Sequence, residues 1–365
     1  MRRRPTWPSR RGSATLAAVA RPGVRRLTLL VVGLALVAAA CASDAPQDTL
    51  DPAGPDARTI DNLFGPVMIA ALVVLVVVQA LIVYAILKFR RRPEQAEGPD
   101  EVPAQVHGNT RLEIGWTILP ALILAVVAIF TVPVIFDLAR EPKDALTVDV
   151  IGQKYWWAYH YDEQDQTGGP AFTTANELHI PAGQEVLLRL ESRDVIHSFW
   201  APRLNGKRDV VPGRTQTWKL EADEPGVYSG QCAEFCGTSH ANMRLKVVAH
   251  DEQGWRDWLA GQQRPAREPK SGLAATGFEL FGQRCATCHQ VDGSYEKVAD
   301  DSPPAPNLTH LFSRDCFAGC TFDLNRNELE AWLRNPQRKA GSLMVIGQLS
   351  ETEIDQLYAY LSTLE

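Results

Sequence analysis

The sequence predicts a multidomain protein: a transmembrane hairpin of two helices, a Greek-key β-sandwich and a C-terminal all-α domain. Three observations predict this architecture. Two long apolar runs occupy residues 63–87 and 114–138, residues 145–248 alternate apolar and polar side chains with a period of two, and residues 272–365 return to helical periodicity with capping signals. At 365 residues the chain is long enough for two or three domains.

The first 40 residues (1–40) have the composition of an export signal. They hold eight Arg and no acidic residue, and the apolar stretch over 27–40 is too short to span a bilayer comfortably. The stretch ends in three Ala before Cys41, which is similar to a bacterial lipoprotein signal, so we expect cleavage there and a lipidated thiol. An ordinary signal peptide and an uncleaved anchor are the alternatives. Removal of this segment would change the formal net charge from −6 to −14, which disfavours nucleic acid as a partner.

The membrane-anchoring part follows this signal. Residues 41–61 are rich in Asp, Pro and Ala without apolar periodicity, so we predict a tether. Residues 62–140 hold both apolar runs, and each run is long enough for a transmembrane helix. Lys88 and a cluster of Arg follow the first run and place that end on the cytoplasmic side of a bacterial plasma membrane. Two spans return the chain to the extracytoplasmic side, where we expect the sandwich over 141–250 and the domain after it.

The sandwich carries a dense set of metal-binding residue types. Cys232, Cys236, His240 and Met243 lie in one short segment, and His197 lies where an upstream strand runs out. Cys and Met sulfur atoms are soft donors and imidazole is intermediate, so the set suits copper better than magnesium or calcium. A disulfide or half of a zinc site would account for the two cysteines alone, but it would leave both His and the Met unexplained.

The Cys-x-Glu-x-Cys-x-x-x-His-x-x-Met spacing with an upstream His resembles cytochrome c oxidase subunit II, and the resemblance extends over about residues 60–250. It implies a cupredoxin-like fold and a binuclear copper A centre. Both thiolates would bridge the two copper ions, each imidazole would bind one ion, and the thioether would be a weak axial ligand. Glu234 would ligate copper through its backbone carbonyl, and its carboxylate would help to bind magnesium at the interface with subunit I.

Two further features of this family can be placed on the sequence. The family has an aromatic cluster with an electron-input Trp, and by register that position is Tyr155 in this chain, a departure from the family, with Trp156 next to it; aromatic residues of a sandwich more commonly serve only the core. Glu113 stands at the cytoplasmic end of the second apolar run and matches a Glu at the entrance of a proton path into subunit I. The alternative for Glu113 is a solvated helix end.

The all-α domain follows a predicted short helix and linker over 251–271 and contains the attachment signature of a c-type haem. In this Cys-x-x-Cys-His motif, Cys285 and Cys288 form thioethers and His289 binds the iron. Met344 is the only Met after the motif, so we expect it to be the second axial ligand, and a Met/His pair raises the haem potential. The domain resembles a class I cytochrome c.

Cys316 and Cys320 form a Cys-x-x-x-Cys pair outside the family pattern. The cysteine usage of the chain indicates an exported, oxidising compartment. We therefore expect a local disulfide rather than two unrelated thiols.

Together the resemblances imply subunit II of a haem–copper cytochrome c oxidase with a fused cytochrome c domain, as in caa(3)-type oxidases. Electrons would pass from haem c to copper A and on to subunit I, where dioxygen is reduced to water and protons are pumped, so the oxidase activity belongs to the complex. The implied partners are subunits I and III, the lipid bilayer, and a membrane cytochrome or small cytochrome c as donor. The alternatives are a quinol oxidase subunit without copper, a free-standing electron-transfer protein, and an electron-delivery module for a nitrogen-oxide reductase.

Overall fold

The structure is a computed structural model that describes residues 29, 31–33, 45–90, 108–162, 168–295 and 305–365. The fold described below is that of the unit formed by residues 46–365. The predicted lipidation site Cys41 and nearly all of the predicted export signal lie outside the described residues.

Two long helices carry the apolar runs. Helix α1 (Pro55–Phe89) begins after the N-cap Gly54, and helix α2 (Thr110–Leu138) begins at Asn109, whose side chain caps its first turn. Both are long and apolar enough to cross a membrane. Their Leu, Ile and Val side chains are mostly exposed, as a lipid-facing surface requires. At 1.5 Å per residue α1 is about 50 Å long, which exceeds the roughly 30 Å hydrocarbon core of a bilayer.

The extra length of α1 packs on the sandwich. Asp56 in the first turn is buried and forms an ion pair of 2.8 Å with Lys219, and Arg58 pairs with Asp223 at 2.6 Å. The helix therefore begins inside the predicted tether (41–61), whose last part is ordered and helical. Sequence periodicity misses this helix start because its polar first turns are stabilised by partners about 160 residues away in the chain.

In the described part of the sandwich, ten strands form two five-stranded sheets. The sheet orders are β3-β2-β1-β5-β8 and β4-β10-β9-β6-β7, and the β1/β5 and β4/β10 pairs are parallel. The strands are β1 (Leu146–Gln153), β2 (Trp156–Tyr161), β3 (Phe172–Ala175), β4 (Glu177–Pro181), β5 (Val186–Ser192), β6 (His197–Trp200), β7 (Arg208–Val210), β8 (Gln216–Leu220), β9 (Gly226–Cys232) and β10 (Arg244–His250).

The core of the sandwich lies between the two sheets. Strand β5 alternates buried and half-buried residues over its first five positions, as its sequence pattern predicts. Trp157 and Tyr161 of β2 are fully buried there. Helix α3 (Glu252–Gln262) follows β10 and packs Trp255 and Trp258 against this core, which agrees with the helix predicted after residue 250.

The C-terminal domain is built around its first and last helices, which cross closely at Gly277 and Gln356. A Cβ atom placed on Gly277 would lie 1.9 Å from the carbonyl oxygen of Gln356, so only glycine allows this crossing. Ser350 and Glu353 form a capping box at the start of the last helix. The elements of the domain are α4 (Gly272–Arg284), β11 (Cys316–Phe317), β12 (Phe322–Asp323), α5 (Arg326–Arg334) and α6 (Glu351–Leu361).

Candidate metal centres

The loop between β9 and β10 and the start of β6 bring the predicted copper ligands together. Strand β9 ends at Cys232, which pairs with Phe199 of the neighbouring antiparallel strand β6. His197 lies two residues before Phe199 and therefore projects from the same face of the sheet. A hydrogen bond of 2.8 Å from the Cys232 N–H to the Met243 carbonyl closes the loop before β10 begins at Arg244.

The sulfur and nitrogen atoms of this set form one continuous cluster. The Sγ atom of Cys232 lies 3.9 Å from Sγ of Cys236 and 3.8 Å from Nδ1 of His197. The Sγ atom of Cys236 lies 3.6 Å from Nδ1 of His240 and 3.8 Å from Sδ of Met243. The two thiols thus occupy the centre, and one imidazole flanks each thiol.

This donor set fits copper. Cys232 and Cys236 are unbonded, and their separation is far longer than the roughly 2 Å of a disulfide, so the disulfide alternative is wrong in this structure. The carbonyl oxygen of Glu234 lies 3.2 Å from Sγ of Cys232 and faces the cluster. A zinc site of Cys and His would have no use for the buried thioether. Soft sulfur donors with two imidazoles are the ligands that copper prefers.

The two thiols differ in acidity because they share a proton. The hydrogen bond that Cys236 donates, together with one from His197, lowers the pKa of Cys232 to about 4, and the neighbouring thiolate raises the pKa of Cys236. Although burial acts in the opposite direction, hydrogen bonds to Asp194 and Cys232 raise the pKa of His197. Because thiolate and neutral imidazole are the forms that bind a metal, metal binding displaces the proton that the two thiols share, which couples metal affinity to pH.

Asp194 orients the His197 ring and was not predicted from the sequence. Its Oδ1 atom lies 2.7 Å from Nε2 of His197, which leaves Nδ1 directed at the thiols. Although burial raises it, the pKa of Asp194 is lowered by hydrogen bonds from His197 and two backbone N–H groups. The sequence signal that could have identified Asp194 is its position, three residues before the predicted ligand His197.

The predicted electron-input residues lie where strand β2 begins, and Tyr155 contacts the loop that carries the proposed copper ligands. Tyr155 is 8% exposed, and its hydroxyl accepts a hydrogen bond from the Thr238 N–H at 3.0 Å. Thr238 lies in the loop between β9 and β10, residues 233–243, which we call the copper loop. Trp156 is half-buried at the start of β2. Trp157, which was not predicted, is fully buried with its ring centroid 6.0 Å from that of His197. The sequence alone could not show which of these three adjacent aromatic residues lies beside the proposed copper ligands.

The predicted haem ligands follow α4 in a tight turn. Cys285 is the C-cap of α4, and its carbonyl accepts the His289 N–H at 2.9 Å. The thiols of Cys285 and Cys288 are unbonded. The Nδ1 atom of His289 donates to the Pro306 carbonyl at 2.8 Å, so Nε2 is left as the ligand atom. Burial lowers the pKa of His289, which keeps the imidazole neutral, the form that binds iron.

Met344 is positioned by a hydrogen bond to its sulfur. The Nε1–H group of Trp332 donates to Sδ of Met344 at 3.2 Å, and the side chain packs against the core of the domain. His310, the other possible second ligand, has its two ring nitrogens 2.7 and 3.1 Å from the carbonyl oxygens of Glu365 and Gln262. The residues present therefore fit a haem bound by one His and one Met.

Two predicted sites lie apart from these centres. Glu113 is exposed in the first turn of α2. Cys316 and Cys320 are joined by a disulfide that closes the turn between β11 and β12.

The fold and the two centres define a membrane-anchored electron-transfer protein with one copper-binding and one haem-binding domain. The family descriptions that match are "Cytochrome C oxidase subunit II, periplasmic domain" over residues 166–250, "Cytochrome C oxidase subunit II, transmembrane domain" over 43–134, and "Cytochrome c" over 274–365. The chain is 37% identical over 349 residues to "Cytochrome c oxidase subunit 2" of Alkalihalophilus pseudofirmus, covering 93% of this chain and 95% of that protein. It is 33% identical over 362 residues to the protein of the same name from Bacillus subtilis, covering 93% and 98%. The chain belongs to the cytochrome c oxidase subunit II family.

Family membership confirms the predicted class of protein and its architecture of two helices, β-sandwich and helical cytochrome c domain. The family implies copper in the sandwich, haem c in the last domain and assembly with other oxidase subunits. The chain is also 31% identical over 243 residues to "Quinol oxidase subunit 2" of Bacillus spizizenii, covering 65% of this chain and 73% of that protein.

Proposed function

We propose that this chain receives electrons for a haem–copper oxidase and passes them from its own haem c to a binuclear copper A centre and on to subunit I, where dioxygen is reduced to water and protons are pumped. The observation that carries the proposal is the cluster of two thiols, two imidazoles and a thioether, each within 3.9 Å of the next. When bound, copper and haem c would supply one-electron redox chemistry. The residues that would hold the copper are His197, Cys232, Cys236, His240 and Met243, and those that would hold the haem are Cys285, Cys288, His289 and Met344.

The residues around each centre hold the ligands still. Asp194 fixes the ring of His197, the Pro306 carbonyl fixes that of His289, and Trp332 fixes the sulfur of Met344. Outer hydrogen bonds of this kind set ring orientation and ligand basicity. Ligands that do not move between oxidation states keep the reorganisation cost of electron transfer low.

The proposed electron input from the fused domain is supported by what covers Tyr155. Its carbonyl accepts a hydrogen bond from Nζ of Lys339 at 2.6 Å, and its ring lies against Gly341. Both of those residues belong to the haem domain. A separate donor protein cannot touch a residue that this domain covers, so a membrane cytochrome or small cytochrome c would deliver electrons to the haem domain.

The other roles follow from the family and extend the proposal. Glu113 would stand at the entrance of the proton path into subunit I, and the Glu234 carboxylate would bind a magnesium ion together with residues of that subunit. Subunit III would complete the complex in a bacterial plasma membrane, and a lipid on Cys41 would add a second anchor. The membrane helices support an intramembrane partner over a free-standing carrier or a module for a nitrogen-oxide reductase.

The similarity to a protein named quinol oxidase subunit 2 favours one other candidate, a subunit of a quinol oxidase that works without copper. The complete donor cluster argues against this candidate, because a subunit without copper has no need for two buried thiols beside two imidazoles. The haem attachment motif argues against it as well, because quinol would make a built-in cytochrome unnecessary.

Purification of the haem-loaded chain in mild detergent tests the proposal. We expect two copper ions and one haem iron per chain, together with a co-purifying subunit that has many membrane spans. Cys232→Ser is expected to lose copper and keep the haem spectrum, whereas Met344→Leu is expected to change the haem spectrum and keep copper. Haem-loaded protein that binds no copper after reconstitution would show that the proposal is wrong.

A further inference from the structure

The haem domain contacts the copper domain through a loop that contains no metal or haem ligand. We call residues 315–321 the docking loop. It contains the Cys316–Cys320 disulfide and three consecutive residues with positive φ, namely Ala318 at 53°, Gly319 at 69° and Cys320 at 48°. L-residues other than glycine rarely adopt this region of φ, so the backbone of Ala318 and Cys320 is unfavourable unless the contacts of the loop offset it.

The tip of the docking loop forms two hydrogen bonds to backbone groups on either side of Met243. The Gly319 carbonyl accepts the N–H of Arg244 at 2.9 Å. The Thr321 hydroxyl donates to the carbonyl of Asn242 at 2.9 Å. Asn242 and Arg244 are the two neighbours of the proposed copper ligand Met243, so the docking loop is joined to the chain on both sides of this ligand.

The other end of the docking loop is held by a buried carboxylate. Glu177 is 2% exposed at the start of β4, and its Oε1 atom accepts the N–H groups of Asp315 at 2.8 Å and Cys316 at 3.0 Å. Lys246 lies 3.9 Å from Glu177 and 3.4 Å from the Asp315 carboxylate. A buried carboxylate needs such donors, and two of them come from the haem domain.

Lys339 joins the two domains with a single ammonium group. Its side chain is 4% exposed, and Nζ donates to the carbonyl of Tyr155 in the copper domain and to that of Ala318 in the docking loop, both at 2.6 Å. Burial of a Lys is unfavourable unless its donors are satisfied. Here the satisfying carbonyls come one from each domain.

Ala340, the residue after Lys339, also contacts the copper domain, close in sequence to a proposed ligand of each metal centre. The Ser239 hydroxyl donates to the carbonyl of Ala340. Ser239 precedes the proposed copper ligand His240, and Ala340 lies four residues before the proposed haem ligand Met344. One hydrogen bond therefore connects the chain segments that carry a ligand of each centre.

We propose that the docking loop, together with Glu177 and Lys339, fixes the haem domain against the copper loop, so that electrons cross from a docked domain and not from one that swings on its linker. This inference rests on the proposed function and assigns the residues that hold its two centres together. A flexible linker alone would raise the local concentration of the haem domain only to about the millimolar range. Fixed contacts replace repeated encounters by one geometry.

Gly319 provides the sharpest test because it approaches the copper domain too closely for any side chain. A Cβ atom on Gly319 would lie 2.3 Å from the Tyr155 carbonyl oxygen and 2.6 Å from Nζ of Lys339. Gly347 is a matched control in the same domain, because its φ is 70° and nothing lies within 4 Å of its added Cβ. Gly319→Ala and Gly347→Ala thus carry the same backbone strain, and only the first blocks docking.

The experiment uses the full chain with haem and copper in detergent. A short light pulse on a soluble ruthenium complex reduces the haem, and the absorption of both centres then reports electron transfer between them. We expect the parent and Gly347→Ala to transfer at the same rate, and Gly319→Ala to be at least tenfold slower. Amide hydrogen exchange at Arg244 and Cys316 is expected to be slow in the first two proteins and at least tenfold faster in the third.

Equal rates and equal amide protection in Gly319→Ala and Gly347→Ala would overturn the inference. If Gly319→Ala does not retain the haem, Lys339→Met takes its place, because it removes both ammonium hydrogen bonds at similar side-chain volume, and the same two readouts decide. Failure of the proposed function looks different. In that case the parent itself transfers no electrons to copper, while the difference in amide exchange between the two glycine variants remains.

Discussion

Asp194 holds the copper-side imidazole through one carboxylate that serves three donors. Its Oδ1 atom lies 2.7 Å from Nε2 of His197 and accepts the Val195 N–H at 2.6 Å, and its Oδ2 atom accepts the Lys154 N–H at 2.7 Å. Asp194→Asn keeps the shape of the side chain. It removes the negative charge and replaces one acceptor oxygen by an NH2 donor.

The cost of this substitution follows from the two orientations of the amide. If the NH2 group faces His197, the charge-assisted hydrogen bond is lost, and if it faces Lys154, a backbone N–H loses its acceptor. Either loss costs about 1–3 kcal/mol. Removal of a residue that orients a metal ligand lowers metal affinity roughly 10–100-fold, which agrees with that range. We therefore expect Asp194→Asn to bind copper about 10–100 times more weakly.

Competition with a copper chelator on the haem-loaded chain measures this affinity through the absorption of the copper site. Asp149→Asn is the matched control, because Asp149 lies in the same sandwich and pairs with Arg189 away from the copper loop. An affinity of Asp194→Asn equal to that of Asp149→Asn would refute the proposed role of the carboxylate. A change in haem absorption would point to general unfolding instead, and it is not expected.

Three further variants test the sandwich and the haem domain. Burial lowers the pKa of His250 to about 4, below its ordinary value of about 6.5. Between pH 7 and pH 5 the unfolded chain therefore binds more protons than the folded chain, and the free energy of unfolding falls by about 2 kcal/mol. In denaturant titrations His250→Gln should lose most of this fall, and a pH dependence equal to that of the parent would contradict the assignment. Gly277→Ala would place a methyl group 1.9 Å from the Gln356 carbonyl oxygen and should lower the free energy of unfolding of the haem domain by about 3 kcal/mol or more. Thermal unfolding should then show a lower midpoint for this domain, and an unchanged midpoint would refute the tight crossing. Trp332→Phe removes a hydrogen bond to the Met344 sulfur that is worth about 1 kcal/mol. Added imidazole should therefore displace Met344 from the haem about five times more readily in a spectral titration. Equal imidazole affinities of the parent and the variant would exclude the role of the indole N–H.

Sequence could predict the elements and most ligands because those signals are local. The spacing from Cys232 to Met243 lies within one loop, the Cys-x-x-Cys-His motif within one helical turn, and the apolar runs within single helices. Two proposed ligands lie outside these segments: His197 is 35 residues before Cys232, and Met344 is 55 residues after His289. The sequence predicts His197 where a strand runs out, whereas the structure places it at the start of β6, beside the strand β9 that ends at Cys232.

Contacts that depend on two distant surfaces could not be predicted in this way. Nothing in a Cys-x-x-x-Cys spacing indicates that the N–H groups of Asp315 and Cys316 bind Glu177, about 140 residues earlier in the chain. The burial of Lys339 is likewise unpredictable, because an isolated Lys in a polar segment is normally solvated. The helix start at Pro55 depends in the same way on Lys219 and Asp223 of the sandwich.

The covered position of Tyr155 gives a physical reason for its departure from the Trp of the family. A residue that receives electrons from a protein that binds and leaves must stay exposed and must tolerate repeated hydration. At 8% exposure Tyr155 instead has its carbonyl bound by Lys339 and its hydroxyl bound by the Thr238 N–H. A phenol satisfies that backbone N–H with an oxygen acceptor, which an indole lacks because its nitrogen is only a donor. We propose that the fused domain changes the requirement at this position from an exposed contact surface to a buried hydrogen-bonded joint.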